Sequence, residues 1–168
     1  MKAIGIGLSA LGLAGAGAVL ISPPLAAQSQ YRQTIGNDMR QCAPGKGPAV
    51  RVTIRGVKSA TGTIRLQSYR ATKADWLEKG RWLSRIQIPA RKGTMTFCMP
   101  VPASGNYAFA ARHDVNGNGK TDISSDGGAM SNNPSINIFN LGKPSVDKTR
   151  FSVGSGVSSM TITMKYIG

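Results

Sequence analysis

"VRVTIRGVKSATGTIRLQSY", residues 50–69, decides the fold. Val50, Val52 and Ile54 alternate with Arg51, Thr53 and Arg55, and Ile64 and Leu66 alternate with Arg65 and Gln67. A period of two places successive side chains on opposite faces of a strand, so each run has one apolar face and one polar, partly cationic face. Ala60, Thr61 and Gly62 supply turn chemistry between the runs, and the stretch reads as a hairpin.

The same rhythm continues outward. Arg85–Ile88 is a short strand. Thr94–Met99 turns Met95, Phe97 and Met99 inward and ends at Pro100 and Pro102. Tyr107–Arg112, Lys148–Val153 and Ser158–Ile167 follow, the last with Met160, Ile162, Met164 and Tyr166 inward. About seven strands over about 120 residues predict an all-β, antiparallel sandwich. One segment breaks the rhythm: Thr72–Gly80 has a capping residue, Asp75 three positions on and a terminal glycine. It predicts one or two helical turns crossing the end of the sandwich, with Trp76, Leu77 and Trp82 against the core edge. Residues 124–147 are rich in Gly, Asn, Ser and Pro and read as a long loop or flap.

The chain of 168 residues divides into three parts. Met1–Lys2, the small apolar run to Ile21, the Pro23–Pro24 break and Leu25-Ala26-Ala27 have the layout of a secretory leader over 1–27. A retained membrane anchor is the competing reading. Residues 28–47 lack periodicity and read as a flexible lead-in tied down near Cys42, and the sandwich domain occupies 48–168. With the leader removed, no remaining segment is apolar enough to span a bilayer, and a periplasmic or secreted protein is expected. Cys42 and Cys98 fit one disulfide in an oxidising compartment, worth about 4 kcal/mol in the chain-entropy model; two separate thiols are the alternative.

The net charge is +14, and loss of Lys2 with the leader removes one unit. Such a balance attracts anionic partners. Export, and basic residues scattered without an interleaved aromatic set, argue against nucleic acid. Anionic envelope components, engaged through the outward Arg51, Arg55, Arg65 and Arg85 on one sheet face, are the specific reading. A solvated cationic face is the plain one.

"RHDVNGNGKTD", residues 112–122, carries the densest chemistry. Counted from Asp114, oxygen side chains fall at positions one, three and five (Asp114, Asn116, Asn118), glycine at six, the Lys120 carbonyl at seven and Asp122 at nine, as in the first half of a calcium loop. Ser125 stands where a bidentate Glu belongs, and Asp126 follows it, so an EF-hand is excluded. Two readings stand. One is a weak calcium loop on a β scaffold, with Asp126 closing the shell and affinity of ~10⁻⁴ to 10⁻³ M. The other is a tight turn, for which Asn-Gly pairs are well suited. His113, the single histidine, alternates away from Asp114 on a strand, and neither a Ser-His-Asp set nor a GxSxG turn accompanies it. It reads as a strand-end histidine bonded to a loop, and no catalytic residue is assigned.

The order "VTIRGVKSATGTIRLQSY", a short insert, "GNYAFAARHDVNGNGKTD", "MSNN" and "GKPSVDKTRFSV" resembles the bacterial exported proteins grouped as domain of unknown function 2141, over about residues 48–166. The resemblance implies an immunoglobulin-like or transthyretin-like sandwich and draws attention to the His-Asp-x-Asn-Gly-Asn-Gly-Lys-x-Asp core. It implies no activity and no cysteine pairing. Where members often carry Gly-Phe-Ser-Asn-Asn, this chain has Ala129-Met130-Ser131-Asn132-Asn133. The expectation is a non-enzymatic module of the cell envelope, with the Asp/Asn/Gly loop rigid or calcium-bound; an anion carrier or sensor is the alternative.

Overall fold

The computed structural model describes residues 30–136 and 142–168. The expected leader, 1–27, lies outside the described residues, as does 137–141 of the expected flap. Among the described residues the strands are β1 (Gln33–Thr34), β2 (Ala49–Val57), β3 (Thr63–Arg70), β4 (Ser84–Pro89), β5 (Gly93–Pro100), β6 (Gly105–Asp114), β7 (Gly127–Met130), β8 (Phe151–Val153), β9 (Val157–Thr163) and β10 (Lys165–Tyr166). They form an all-β sandwich. One sheet has the order β1-β4-β3-β6-β7-β10, with β8 also paired to β6; the other has the order β5-β2-β9. No helix among the described residues is long and apolar enough to cross a membrane.

The alternating apolar positions meet between the sheets. Val50, Val52 and Ile54 of β2, Met95, Phe97 and Met99 of β5 and Ile162 of β9 face Ile64 and Leu66 of β3, Ile86 of β4 and Phe109 and Ala111 of β6. All are buried. Removing a side chain such as Phe97 or Phe109 from water contributes about 1.5–3 kcal/mol.

Several expectations are corrected. The sheets are mixed, because β1–β4 and β2–β9 pair in parallel. Residues 50–69 do not form a hairpin: β2 pairs with β5 and β9, whereas β3 pairs with β4 and β6. The register shift between Ile54 and Val57 and the left-handed Gly56 turn the chain out of the smaller sheet. The following residues carry it to the larger one, so both apolar faces meet across the core.

The segment expected as a flexible lead-in is held along its length from Arg32. Arg32 and Gln33 donate backbone N–H bonds to Trp82 and Leu83, and Ile35 to Arg85. The Asn37 amide then donates to the Thr96 carbonyl and accepts from the Cys98 N–H, both at 3.0 Å. The segment thus satisfies the open edges of β4 and β5, which would otherwise expose unpaired backbone. It ends in a 3-10 turn over Met39–Cys42, and Cys42 is bonded to Cys98.

Thr72–Gly80 forms successive turns, over 73–77 and at 79–80, and no regular helix. Trp76 N–H reaches the Thr72 carbonyl, but Leu77 is left-handed at φ 57°, which ends the winding. The segment lies on the outer face of the larger sheet, where Trp76 and Trp82 pack with Tyr69, Ala108 and Met130 in a second apolar cluster. The expected flap contains β7 and the start of a one-turn helix, α1 (Val146–Thr149), so the strand expected from Lys148 begins at Phe151. At the C-terminal end, Met164 N–H bonds the Arg55 carbonyl at 2.8 Å, and the chain crosses from β9 to β10 in the other sheet.

Candidate functional site

The 114–126 loop is closed by its own hydrogen bonds. Asp114 Oδ2 accepts from the Gly119 N–H at 2.9 Å and from Arg112 Nη2 at 3.1 Å. The Asp126 carboxylate accepts from the Val115 and Asp122 N–H groups. Asp122 Oδ2 accepts from the side-chain amides of Asn116 and Asn118 at 2.8 and 2.7 Å. Those amide bonds hold the Asp122 carboxyl below its ordinary value. The oxygens of Asn116 and Asn118 accept from the N–H groups two residues on, so Lys120 enters through its backbone N–H. These are side chain-to-backbone turns of the Asx kind. Among the described residues no group of three or more His, Cys, Asp or Glu side chains gathers as a metal cluster. One oxygen stands apart: Asp114 Oδ1 is buried and has no hydrogen-bond partner.

His113 points the other way, into the core, and is fully buried. Its Nε2 lies 2.8 Å from the Thr61 carbonyl and its Nδ1 2.7 Å from the Tyr166 hydroxyl. A carbonyl only accepts, so Nε2 carries a proton, while Nδ1 is bonded to the Tyr166 hydroxyl, whose oxygen also accepts from the Lys58 N–H. The histidine thereby ties the β2–β3 crossing to the end of β6 and to β10. Burial pushes the Tyr166 hydroxyl above its ordinary value, and the Lys58 bond opposes that.

The outward face of the larger sheet carries the charge. Its registers place Gln87, Arg65, Arg112, Gly128 and Lys165 in one row across β4, β3, β6, β7 and β10. Arg85, Gln67, Ala110 and Met130 form the next row. A cavity of about 380 Å³ opens over these rows. Its walls are Thr121, Ile123 and Asp126 of the loop, Leu77 of the insert, and Ile136 and Lys143 on either side of the 137–141 segment. The loop and the cavity therefore belong to one structure, joined by Arg112. This guanidinium lines the cavity and bonds Asp114 Oδ2, the Gly119 carbonyl and the Thr121 hydroxyl.

Few acids balance these cations. Burial depresses the Arg65 guanidinium below its ordinary value, and Arg112 and Arg85 push it further, with Asp114 opposing. Burial likewise lowers Arg85, whose guanidinium lies 4.1 Å from the centre of the Trp82 ring. Arg85 and Arg112 each keep a buried Nε without a hydrogen-bond partner.

The Ser131-Asn132-Asn133 run after β7 is a clasp. Ser131 Oγ accepts from the Phe109 N–H and donates to the Thr149 carbonyl. The Asn132 amide donates to the Arg150 carbonyl. The Asn133 amide donates to the Thr161 carbonyl and accepts from the Thr163 N–H, pairing the edge of β9 as a strand would. Trp76 Nε1 donates to the Pro144 carbonyl at 2.8 Å and pins the insert to the flap.

The residues singled out by sequence are thus redistributed. Asp114, Asn116, Asn118, Asp122 and Asp126 share one loop. Arg51 and Arg55 project from β2 on the smaller sheet, whereas Arg65 and Arg85 project from the larger one, so the four arginines do not share a face. The reason is the β2–β3 crossing, which reverses the sheet on which the alternation is presented. Arg112, Lys143 and Lys165 join Arg65 at the cavity and escaped sequence reading. Alternation alone marks Arg112 as outward, opposite Phe109 and Ala111, but its pairing with Arg65 is non-local.

A family model described as an uncharacterized protein conserved in bacteria (DUF2141) matches residues 52–161, from β2 into β9. The chain belongs to this family. The match spans Arg65, Arg85 and Arg112 of the rows, the loop and the Ser131-Asn132-Asn133 clasp, and ends before Lys165. No curated protein and no solved structure matches the chain.

Proposed function

We propose that this protein is an exported, non-enzymatic binding module of the bacterial cell envelope, and that it takes an anionic ligand at the cavity on the outer face of its larger sheet. The observation that carries this reading is the row Arg65–Arg112–Lys165 lining the cavity, where the buried Arg112 Nε has no acceptor. Like charges held together cost free energy that an anion would relieve. Export is supported by the Cys42–Cys98 bridge, which an oxidising compartment sustains, and by the leader-like first 27 residues. A non-enzymatic role is supported by His113, whose two ring nitrogens are committed inside the core. The test is calorimetric titration of the leader-free chain with acetate, inorganic phosphate and octanoate. One or more should bind at one site per chain, weakened by Arg65→Gln and unaffected by Arg55→Gln. Absence of binding by all three, or equal losses from both variants, contradicts the reading.

A second reading is favoured by one atom. Asp114 Oδ1, buried and without a partner, is a ready ligand for a calcium ion in the 114–126 loop. At 10 mM calcium and a dissociation constant of ~10⁻⁴ to 10⁻³ M, binding would stabilise the fold by about 1.4–2.7 kcal/mol. Calorimetric melting in calcium and in chelator tests this, and identical midpoints remove it.

A further inference from the structure

We propose that the cavity ligand is a single-chain anionic amphiphile of the fatty-acid type, its head on Arg65 and Arg112 and its chain against Leu77, Met130 and Ile136. The inference rests on the anion-binding reading above and narrows it to one chemical class.

Three observations carry it. First, the cavity is chemically divided. Four cations, Arg65, Arg112, Lys143 and Lys165, line it against one carboxylate, Asp126, and that carboxylate already accepts two backbone N–H groups. Apart from Gln67 and Thr121 the remaining wall is apolar, chiefly from Leu77, Ala110, Met130, Ile136 and Ile167. A purely ionic ligand leaves that wall unused, and a purely apolar one leaves the buried Arg112 Nε without an acceptor. Second, the floor is made by an omission. Gly128 occupies the outward position between Arg112 and Lys165, where any larger residue would fill the space. Its backbone does not require glycine: its φ lies outside the left-handed range, and an added Cβ would meet only the Ile136 Cδ1 at 3.8 Å, an ordinary contact. Third, Ile123 at the mouth is one of two large hydrophobic side chains that the described residues leave exposed. An aliphatic chain entering there would cover it.

The size agrees. A volume of about 380 Å³ is at the lower end of small-ligand sites, too small for a folded partner and suited to one short chain. Guanidinium groups present paired N–H donors that match a carboxylate in two-point contact.

The experiment titrates the leader-free chain with octanoate, butyrate, inorganic phosphate and 1-octanol, each below any aggregation threshold. Burial of a methylene tightens binding by up to about fourfold, so octanoate should exceed butyrate on the order of tenfold or more. Octanoate should also exceed phosphate and octanol by a similar factor. Arg65→Gln should weaken octanoate on the order of tenfold. Gly128→Val should abolish its binding while leaving the melting midpoint unchanged or raised. If octanoate, butyrate and phosphate bind alike through Arg65, the amphiphile inference falls and the anion reading stands. If no anion binds, both fall. Octanol binding as tightly as octanoate, or octanoate binding that survives Gly128→Val, also overturns the inference.

Discussion

Replacing Gly62 by alanine tests how the β2–β3 crossing positions the candidate site. Gly62 is left-handed at φ 71°, and an added Cβ would stand 1.8 Å from the Asp114 carbonyl oxygen and 2.8 Å from that of Val115. Both obstacles are backbone, so relief requires the start of β3 to move from the end of β6, where Thr63 pairs with Asp114. The left-handed conformation costs an L-residue about 1–2 kcal/mol. The movement also strains the bond from the buried Ala90 N–H to the Gly62 carbonyl, whose loss adds about 1–3 kcal/mol. The sum, about 2–5 kcal/mol, is a large fraction of a domain's ~5–15 kcal/mol. Gly117→Ala is the control: it shares φ 71°, but nothing lies within 4 Å of its added Cβ, so it should cost only the conformational part, about 1–2 kcal/mol. Urea unfolding of both variants measures the difference through the midpoint, with the slope unchanged. Equal losses at the two positions would refute the close approach of the crossing to the Asp114 backbone.

Three other expectations follow from contacts described above. Changing Cys42 and Cys98 together to alanine should lower stability by about 4 kcal/mol, read by urea unfolding against the oxidised chain; a loss under 1 kcal/mol would contradict it. Asn133→Ala removes both bonds to the β9 edge and should cost about 1 kcal/mol, with faster amide exchange concentrated at Thr163. Asp122 carries a folded-state value below its ordinary one, so its contribution is fully present above the unfolded aspartate range and is lost as pH falls through the depressed folded value. Carboxyl NMR should find its midpoint depressed, and Asn116→Ala with Asn118→Ala should raise that midpoint; no change would deny the amide bonds their role.

What the sequence shows here is the local part of the structure. Val50–Ile54, Ile64–Leu66 and Met95–Met99 declare their faces through alternation, because a strand's period of two needs no knowledge of its partner. The family resemblance over these strands agrees with the family model. Pairing is another matter. The turn residues Ala60–Gly62 suggest a hairpin, yet the same residues carry the chain between sheets. The choice is made by Phe97, Phe109 and the other apolar positions that must be covered from both sides. β7 escaped because Gly127 and Gly128 offer no alternation, and β1 because two residues carry no pattern. The acidic–amide loop was legible as a place and not as a chemistry: the same Asp and Asn oxygens serve a cation or the loop's own N–H groups. The cavity was invisible, since its cations come from β3, β6 and β10, brought together by register, and from the segment before α1.

The most direct test of the central claim is amide NMR mapping of octanoate on the leader-free chain, repeated with Arg55→Gln. The account predicts saturating shifts at Arg65, Arg112, Gly128 and Lys143, the same in both proteins. Shifts centred on Arg51 and Arg55 of the smaller sheet, or scattered without saturation over the cationic surface, would contradict it.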